Sequence, residues 1–368
     1  MGPTASLFGG VLARGEVAAA VGDDAWLAAM LQVEAALAEV GAFSGLLDQE
    51  AADAIGAACA RPESFSVATG GDPVAPLVEA LRRAVPEFAA AAVHQGASSQ
   101  DILDTAGMLV AARALRPLIA DLRAAAELTA RLAREHRETV TIGRTGLRPS
   151  APTTFGLKAA GWLGGLDAAR RRLDQVRAER LAVQFGGAAG TLASFGDAGP
   201  DVVEGLATLL GLGEPALPWP AERTRITDLG GALGSAAAAM AKVARDLTLL
   251  AQPEIDEVSD TSPAAAGALG CAAAAPGLVA NLLAAAGPEH EGTVEAGLAE
   301  WRTLRDLLVA TGSAASWLRA ALERVLVHPD VMRANLARSG RGGDLSAAGL
   351  LVDRALEAYG IKRAAAAT

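Results

Sequence analysis

The chain has 368 residues, a net charge of −10 at pH 7, and 51% hydrophobic against 20% charged residues. This balance excludes an intrinsically disordered chain, and the negative charge argues against nucleic-acid binding, which needs clustered Lys and Arg. Only 4% of the residues are aromatic, so the apolar content is mostly Ala, Leu and Val. Ala and Leu lose little side-chain entropy in a helix, so the composition favours an all-α fold.

The cysteines and the uncharged segments bear on the cellular location. Cys59 and Cys271 lie far apart and form no CxxC pair, which excludes a disulfide scaffold and predicts a reducing, cytoplasmic location. Residues 1–10 lack the charged and apolar regions of a secretory signal. Residues 261–288 carry no charge, but they are rich in Ala and Gly and contain three prolines, the last of them at the end of the segment. We therefore expect a buried helix of a large assembly there, and no membrane partner.

Apolar residues recur at helical spacing along most of the chain. Trp26, Met30, Val33 and Leu37 share one face of a helix that begins near Asp23. Longer helical segments follow at about 101–136, 152–181, 224–251, after the first proline of the uncharged segment, and at 294–326. Helices this long and Ala-rich bury little area each, so we predict a bundle that packs with further subunits. No alternation typical of β-strands is found.

Standard catalytic and metal-binding motifs are absent from the sequence. There is no phosphate loop, no HExxH and no GxSxG. The four histidines, His94, His136, His290 and His328, are not spaced as metal ligands, so we predict no metal site. No strand is predicted before the glycines at 186–190, which makes a dinucleotide site a weak interpretation.

Short polar segments between the long helices are the candidate functional residues. The first, residues 94–101 (HQGASSQD), contains Ser98 and Asp101 at the spacing of a helix N-terminal capping box. A capped helix N-terminus presents free N–H groups that bind carboxylates. The alternative is capping alone, with His94 as an ordinary surface or core histidine.

Three further polar segments follow. Residues 143–149 contain Arg144 and Arg148, which can bind carboxylates in a bidentate manner; the alternative is an ordinary loop before a helix. Residues 184–191 (QFGGAAGT) have glycines that permit a tight backbone path. Residues 219–225 place a Trp and two Arg before another helix.

Together these segments resemble the fumarase/aspartase superfamily. Its motif H-x-G-A-T-S-Q-D corresponds to residues 94–101, its R-T-x-L-Q-x-A-x-P-x-T-F-G-x-K-x-A-G-W to 144–162, and its Q-x-G-G-A-x-G-T-L to 184–192. Residues 26–34 are similar to its first helix, and 328–335 to the start of its C-terminal domain. Within the superfamily the chain most resembles the cycloisomerases of 3-carboxy-cis,cis-muconate, and next the adenylosuccinate lyases.

The resemblance implies three helical domains, at 1–95, 96–325 and 326–368, with a central five-helix bundle that assembles into a tetramer. Active sites in this family combine residues of three subunits and need no metal or cofactor. The cycloisomerases interconvert a carboxymuconate and its γ-lactone in protocatechuate breakdown. The implied partners are therefore a small carboxylate substrate and further copies of the chain.

The resemblance and the polar segments together give the candidate site residues. The catalytic candidates are Ser259, as the base or acid, and His94. The substrate-binding candidates are the polar residues of the same segments: Ser98, Ser99, Gln100, Arg144, Thr145, Arg148, Gln184, Arg223, Arg225 and His290. We expect Ser259 to become active when its loop closes and excludes water.

The chain departs from the family pattern in its signature loop, G-S-S-x-M-P-x-K-x-N-P. Aligning the first Pro with Pro263 places Ser259 at the catalytic serine, but Ala265, Gly267 and Ala268 then replace the Lys, the Asn and the second Pro. Losing one preorganised donor at a developing oxyanion costs about 3–4 kcal/mol. Arginines elsewhere must therefore compensate if the usual reaction is performed.

Smaller departures occur elsewhere. Gly146 and Arg148 stand where the family has His or Trp and Gln, Gly292 replaces an Arg, and the C-terminal domain is short between 338 and 344. Three hypotheses follow: a working cycloisomerase or lyase, a repurposed member that acts on a less anionic substrate, and a non-catalytic helical scaffold.

Overall fold

A computed structural model describes residues 9–66, 71–261, 263–291 and 294–360 of the chain. Its helices are α1 (Gly9–Leu12), α2 (Val17–Ala20), α3 (Asp23–Phe43), α4 (Gln49–Cys59), α5 (Val74–Ala84), α6 (Glu87–Ala90), α7 (Ser99–Glu135), α8 (Phe155–Glu179), α9 (Gly199–Leu210), α10 (Thr224–Leu250), α11 (Ala264–Ala272), α12 (Ala275–Ala285), α13 (Val294–Arg324), α14 (Pro329–Arg338) and α15 (Ala348–Ala358). Its strands are β1 (Val140–Thr145), β2 (Arg148–Thr154), β3 (Val258–Ser259) and β4 (Leu326–Val327). The predicted all-α fold is confirmed.

The central bundle consists of the long helices α7, α8, α10 and α13, with the consecutive helices α11 and α12 as its fifth member. Each predicted long helical segment is present within a few residues of its expected bounds. The α7 helix runs 37 residues and buries apolar side chains along its whole length. The five-helix bundle therefore has a continuous core that is rich in Ala and Leu.

The N-terminal helices pack against one flank of this bundle. Asp23 and Asp24 occupy the first turn of α3, where carboxylates interact favourably with the helix dipole. Leu27, Met30 and Leu31 are buried on its inner side, and α3 contacts both α4 and α7. The helix predicted to begin near Asp23 is confirmed.

A β-hairpin joins α7 to α8, so the expectation of no strands was wrong there. Strands β1 and β2 pair antiparallel, with Val140 opposite Thr154 and Thr145 opposite Arg148. Both turn residues, Gly146 and Leu147, have positive φ (57° and 63°), as a type I′ turn requires. The segment contains prolines and glycines instead of alternating apolar and polar residues. The pattern of apolar residues therefore did not predict these strands.

Close helix packing depends on glycine at several positions, two of which face tryptophan rings of α13. A side chain at Gly107 of α7 would collide with the Trp301 ring on α13. A Cβ at Gly267 of α11 would lie 2.8 Å from the Trp317 ring, also on α13. Both contacts use a large aromatic ring to fill the space that a missing side chain leaves.

Two helical stretches are long and apolar enough to span a membrane by length and composition, namely Asp23–Phe43 and Ala264–Ala285. The first is mostly buried in the fold, but only 28% of the apolar 18-residue window within the second is buried in a single chain. The sequence predicts that the helix at 261–288 is buried in a large assembly, and in the single chain much of it is exposed. Most of the α12 surface is open to a partner.

Candidate functional site

The predicted capping box opens α7. The Ser98 hydroxyl accepts a hydrogen bond from the Asp101 backbone N–H, while the Asp101 carboxylate accepts from the Ser98 backbone N–H at 2.8 Å. Asp101 is fully buried and also accepts hydrogen bonds from the N–H groups of Gly186 and Gly187, each at 3.0 Å. The first and third polar segments are thus held together by one carboxylate.

Gln184 extends this connection to the fourth polar segment. Its Nε2 donates to Asp101 at 3.0 Å, and its Oε1 accepts the backbone N–H of Trp219. Its backbone N–H and carbonyl both bond to the Thr105 hydroxyl. Because Gln184 is buried and all these groups are paired within the fold, the structure shows it as a link between segments.

His94, Ser99 and Gln100 lie beside the start of α7, each with a partner. His94 has a positive φ of 64°, and its Nδ1 lies 2.7 Å from Oε1 of the buried Glu34. Ser99 donates its hydroxyl proton to Asp72 at 2.6 Å, and Gln100 donates to the Pro220 carbonyl at 2.7 Å. The Nδ1 contact occupies one nitrogen of His94 and leaves Nε2 for a ligand.

Arg223 is buried in the bundle and binds two carboxylates there. It forms ion pairs with Asp104, at 2.6 Å, and with Glu300, and the exposed fraction of its side chain is only 3%. Burial disfavours the charged guanidinium, but these two carboxylates hold the pKa of Arg223 above its ordinary value. The structure thus contradicts its prediction as a substrate-binding residue, because its donors already serve two buried carboxylates.

Arg225 and His290 lie nearer the surface. Arg225 donates to the Arg180 carbonyl at 3.1 Å, and burial together with Arg180 lowers its pKa. His290 is exposed in the connection that leads into α13, and its φ is 49°.

A second group of polar residues surrounds the β-hairpin. Arg144 binds the buried carboxylate of Glu257 through both guanidinium nitrogens, at 2.7 and 2.9 Å. Thr141 and Asn335 also donate to Glu257, at 3.2 and 3.0 Å. Arg144 is thereby fixed in orientation, with part of its side chain exposed.

Thr145 and Arg148 lie at the tip of the hairpin. Both are exposed, and neither side chain forms a hydrogen bond or ion pair with any residue that the structure describes. They remain available to a substrate or to another subunit.

Lys158, on the first turns of α8, is a candidate that the sequence patterns did not single out. Burial lowers the pKa of its ammonium, and Arg144 and Lys242 act in the same direction, against Asp246 and Glu257. Within the described ranges the ammonium has no hydrogen bond or ion pair. In the sequence, the one signal for Lys158 was its position in the segment 144–162, which resembles a motif of the family. In the fold, Lys158 differs from Arg144 of this segment because it has no ion-pair partner among the described residues.

Ser259 lies in a short strand. It pairs with Leu326 across β3 and β4, and its Oγ lies 3.0 Å from Nε2 of His328. Ala265 and Ala268 are buried in α11, whose helix begins at Ala264. The positions assigned to the family's Lys and second Pro are therefore buried positions of a helix.

These residues fall at two ends of the bundle. The "capping end" comprises segments 94–101, 184–191 and 219–225, which meet at Asp101 and Gln184. The "hairpin end" comprises β1, β2 and Ser259. The α7 helix runs from one end to the other, so the two ends lie about 55 Å apart at 1.5 Å per residue. One chain therefore does not bring all the predicted site residues together.

At neither end do the described residues form a metal-binding group. Among the residues that the structure describes, no cluster of three or more His, Cys, Asp or Glu side chains could hold a metal ion. Both cysteines are free and buried.

Known proteins similar to this chain share one superfamily. A lyase family matches residues 13–268. The 3-carboxy-cis,cis-muconate cycloisomerase of Bradyrhizobium diazoefficiens is 39% identical, over 90% of this chain and 79% of its own length. The nitrosuccinate lyase of Streptomyces davaonensis is 41% identical, over 91% of this chain and 77% of its own length.

Solved structures lead to the same superfamily. The β-carboxy-cis,cis-muconate cycloisomerase of Acinetobacter calcoaceticus superposes with a TM-score of 0.87 at 33% identity, covering 91% of this chain and 81% of its own. A fumarate lyase from Mesorhizobium gives a TM-score of 0.87 at 25% identity, covering 96% of this chain and all of its own. The chain therefore belongs to the lyase family of the fumarase/aspartase superfamily and is similar to its cycloisomerases.

Proposed function

We propose that this protein is a cofactor-independent cycloisomerase that acts on 3-carboxy-cis,cis-muconate or a closely related polycarboxylate. The observation that carries the proposal is the charge balance at the hairpin end. Three cations, Arg144, Lys158 and Lys242, face two carboxylates, Glu257 and Asp246, so one positive charge remains for a substrate carboxylate. Cationic groups at fixed positions stabilise negative charge as it develops in the transition state.

The reaction needs little beyond such a site. In the cyclising direction a substrate carboxylate oxygen adds to a carbon of the conjugated double bond. Negative charge then builds on the carbon beside another carboxylate, where Arg144 and Lys158 stabilise it. Ser259 donates the proton that this carbon takes up, and it removes the same proton in the reverse direction. These cations would replace the Lys and Asn that α11 has lost.

The complete site is proposed to form between subunits of a homo-oligomer, most simply a tetramer. His94 and Ser99 at the capping end are about 55 Å from the hairpin end of their own chain, at 1.5 Å per residue of α7. Antiparallel packing of bundles would bring the two ends of different chains together. The exposed apolar surface of α12, including Leu283, offers a face for this packing.

Cytoplasmic location is part of the same proposal. Buried free thiols at Cys59 and Cys271 are suited to a reducing compartment. A lactonising step in the breakdown of an aromatic acid also belongs with soluble metabolic enzymes.

The test is a direct ultraviolet assay with 3-carboxy-cis,cis-muconate, which follows the loss of the conjugated diene. We expect turnover by the wild-type protein and a fall of at least about 100-fold in kcat for Ser259→Ala. The matched control is Ser235→Ala, because Ser235 is an exposed serine on α10 whose hydroxyl bonds to its own helix. A flat trace from assembled wild-type protein would overturn the substrate assignment.

A second candidate is elimination from a substituted succinate. The relative from Streptomyces is a nitrosuccinate lyase, and its identity of 41% is as high as that of the cycloisomerases. The same assay with nitrosuccinate would give the absorbance of fumarate as the product of elimination. Turnover of nitrosuccinate alone would support the repurposed-enzyme hypothesis, whereas turnover of neither substrate would favour a scaffold.

A further inference from the structure

Ser259 and His328 are brought together by the small sheet at the hairpin end. Strands β3 and β4 pair Val258 with Val327 and Ser259 with Leu326. The ladder continues one step further, because the backbone N–H of His328 donates to the Glu257 carbonyl at 3.0 Å. The two side chains are thus held by backbone pairing between segments that are 69 residues apart in the chain.

The hydrogen bonds of His328 determine which of its nitrogens carries the proton. Nδ1 lies 2.8 Å from the backbone carbonyl oxygen of Asp256. A carbonyl oxygen only accepts hydrogen bonds, so Nδ1 must be the protonated nitrogen. In the neutral ring Nε2 then carries the lone pair. The Ser259 hydroxyl, 3.0 Å from Nε2, is therefore the donor in their hydrogen bond.

Asp256 completes the arrangement. Its φ of 49° lies in the left-handed region, which Asp tolerates better than most residues. Its carboxylate Oδ1 lies 3.5 Å from Nδ1 of His328, close enough to stabilise an imidazolium electrostatically. The same residue thus orients the ring through its carbonyl and offers a counter-charge through its side chain.

We propose that His328 is the proton acceptor that activates Ser259. In the lactone-opening direction Ser259 Oγ removes the proton from the carbon beside a carboxylate, and the hydroxyl proton passes to His328 Nε2. The electron pair of the broken C–H bond forms the C=C bond, and the ring C–O bond breaks to release a carboxylate. In cyclisation His328 returns the proton through Ser259. This assignment rests on the proposed function only for the identity of the substrate.

Since His328 acts through Ser259, it is a positioning residue, and its test must separate orientation from proton transfer. His328→Gln keeps a side-chain oxygen that can accept the Ser259 hydroxyl, but an amide is far too weak a base to take the proton. We expect His328→Gln to lower kcat by about 10²–10⁴-fold with KM within about threefold of wild type. Added imidazole should restore part of the activity of His328→Ala.

The protonation of the two His328 nitrogens can be measured by NMR without any substrate. Each chain of the assembled protein has only four imidazole rings, so after labelling with ¹⁵N-histidine a difference spectrum against His328→Gln assigns His328 by solid-state NMR. We expect a protonated Nδ1 and an unprotonated Nε2. Ser259→Ala should shift the Nε2 resonance, while Ser235→Ala should leave it unchanged.

The outcomes separate the two proposals. A proton on Nε2, or a kcat for His328→Gln within threefold of wild type, would overturn the role of His328. The expected NMR pattern in a protein that turns over no carboxymuconate would support the activated serine and overturn only the substrate.

Discussion

Five donors converge on the buried carboxylate of Asp101, and this determines how the capping end is built. They are the backbone N–H groups of Ser98, Gly186 and Gly187, the Ser98 hydroxyl and the Gln184 amide. A carboxylate only accepts hydrogen bonds, so it can serve all five at once. The residue that begins as a helix cap in the sequence is thus also the anchor of the glycine-rich segment.

Asp101→Asn tests this role. The new amide has one NH₂ group, which must face donors, so we expect a loss of about 2–4 kcal/mol in the free energy of unfolding. Chemical denaturation followed by circular dichroism measures it. Asp48→Asn is the control, because Asp48 is an exposed N-cap where Asn serves equally well, and its effect should be near zero. Equal stability of the two variants would contradict the anchoring role.

The ammonium of Lys158 is expected to bind a carboxylate of the substrate. Removing a charged hydrogen bond to a substrate costs about 1.5–3 kcal/mol, so Lys158→Gln should raise KM by about 10–100-fold. Burial lowers the pKa of Lys158, so its charge is present below that lowered pKa and is lost as the pH rises through it. We therefore expect KM to rise on the alkaline side in the wild type, but not in Lys158→Gln.

The control for Lys158 is Arg333→Gln, which removes an exposed cation from α14. Steady-state kinetics across pH should leave this variant indistinguishable from wild type. A KM that does not depend on Lys158 would remove it from the substrate site.

At the scale of elements, α11 decides what chemistry the hairpin end can perform. Its residues Ala265, Gly267 and Ala268 resemble a catalytic loop only by their position in the alignment. The helix starts directly after Pro263 and packs against α13, so its short side chains serve close packing. Catalytic groups must then come from β1, α8 and the β3–β4 pair.

The same kind of packing at Gly107 can be tested. Gly107→Ala should destabilise the protein by about 1–3 kcal/mol, because the methyl group meets the Trp301 ring. Gly56→Ala is the matched control, since Gly56 lies in α4 with open space around it. This change should stabilise the protein by up to about 1 kcal/mol through helix propensity. Stabilisation by both changes would mean that α7 and α13 are not tightly packed there.

Across the whole molecule, the length of α7 separates the two ends of each chain and makes association necessary for a complete site. A tetramer of the 37.0 kDa chain would have a mass of about 148 kDa by light scattering. A monomer that turns over substrate would contradict the shared site.

Mixed oligomers give a sharper test. His94→Gln disables the capping end and Ser259→Ala the hairpin end, and each alone should be inactive. Co-expressed in equal amounts, they should regain about a quarter of the wild-type activity, because random assembly pairs two intact ends in about one site in four. No recovery in a mixed oligomer of normal mass would place both residues in one chain's own site.

The positions of the long helices, the capping box of Ser98 and Asp101, and the superfamily could all be predicted from the amino-acid sequence. Helical periodicity and capping are local properties, so they can be seen within a few residues of the chain. The hairpin at 140–154 could not be predicted in this way, because its pairing depends on turn geometry rather than on alternating apolar residues.

Which polar residues are free to act became visible in the folded chain. Arg223 and Arg144 both lie in polar segments of the sequence. In the fold, however, the donors of Arg223 bind Asp104, 119 residues away, and Glu300, 77 residues away. Lys158 has no such partner among the described residues, and His328 meets Ser259 only through a sheet closed between distant segments. Ion pairs and hydrogen bonds form between groups that are close in space, and the sequence does not contain those distances.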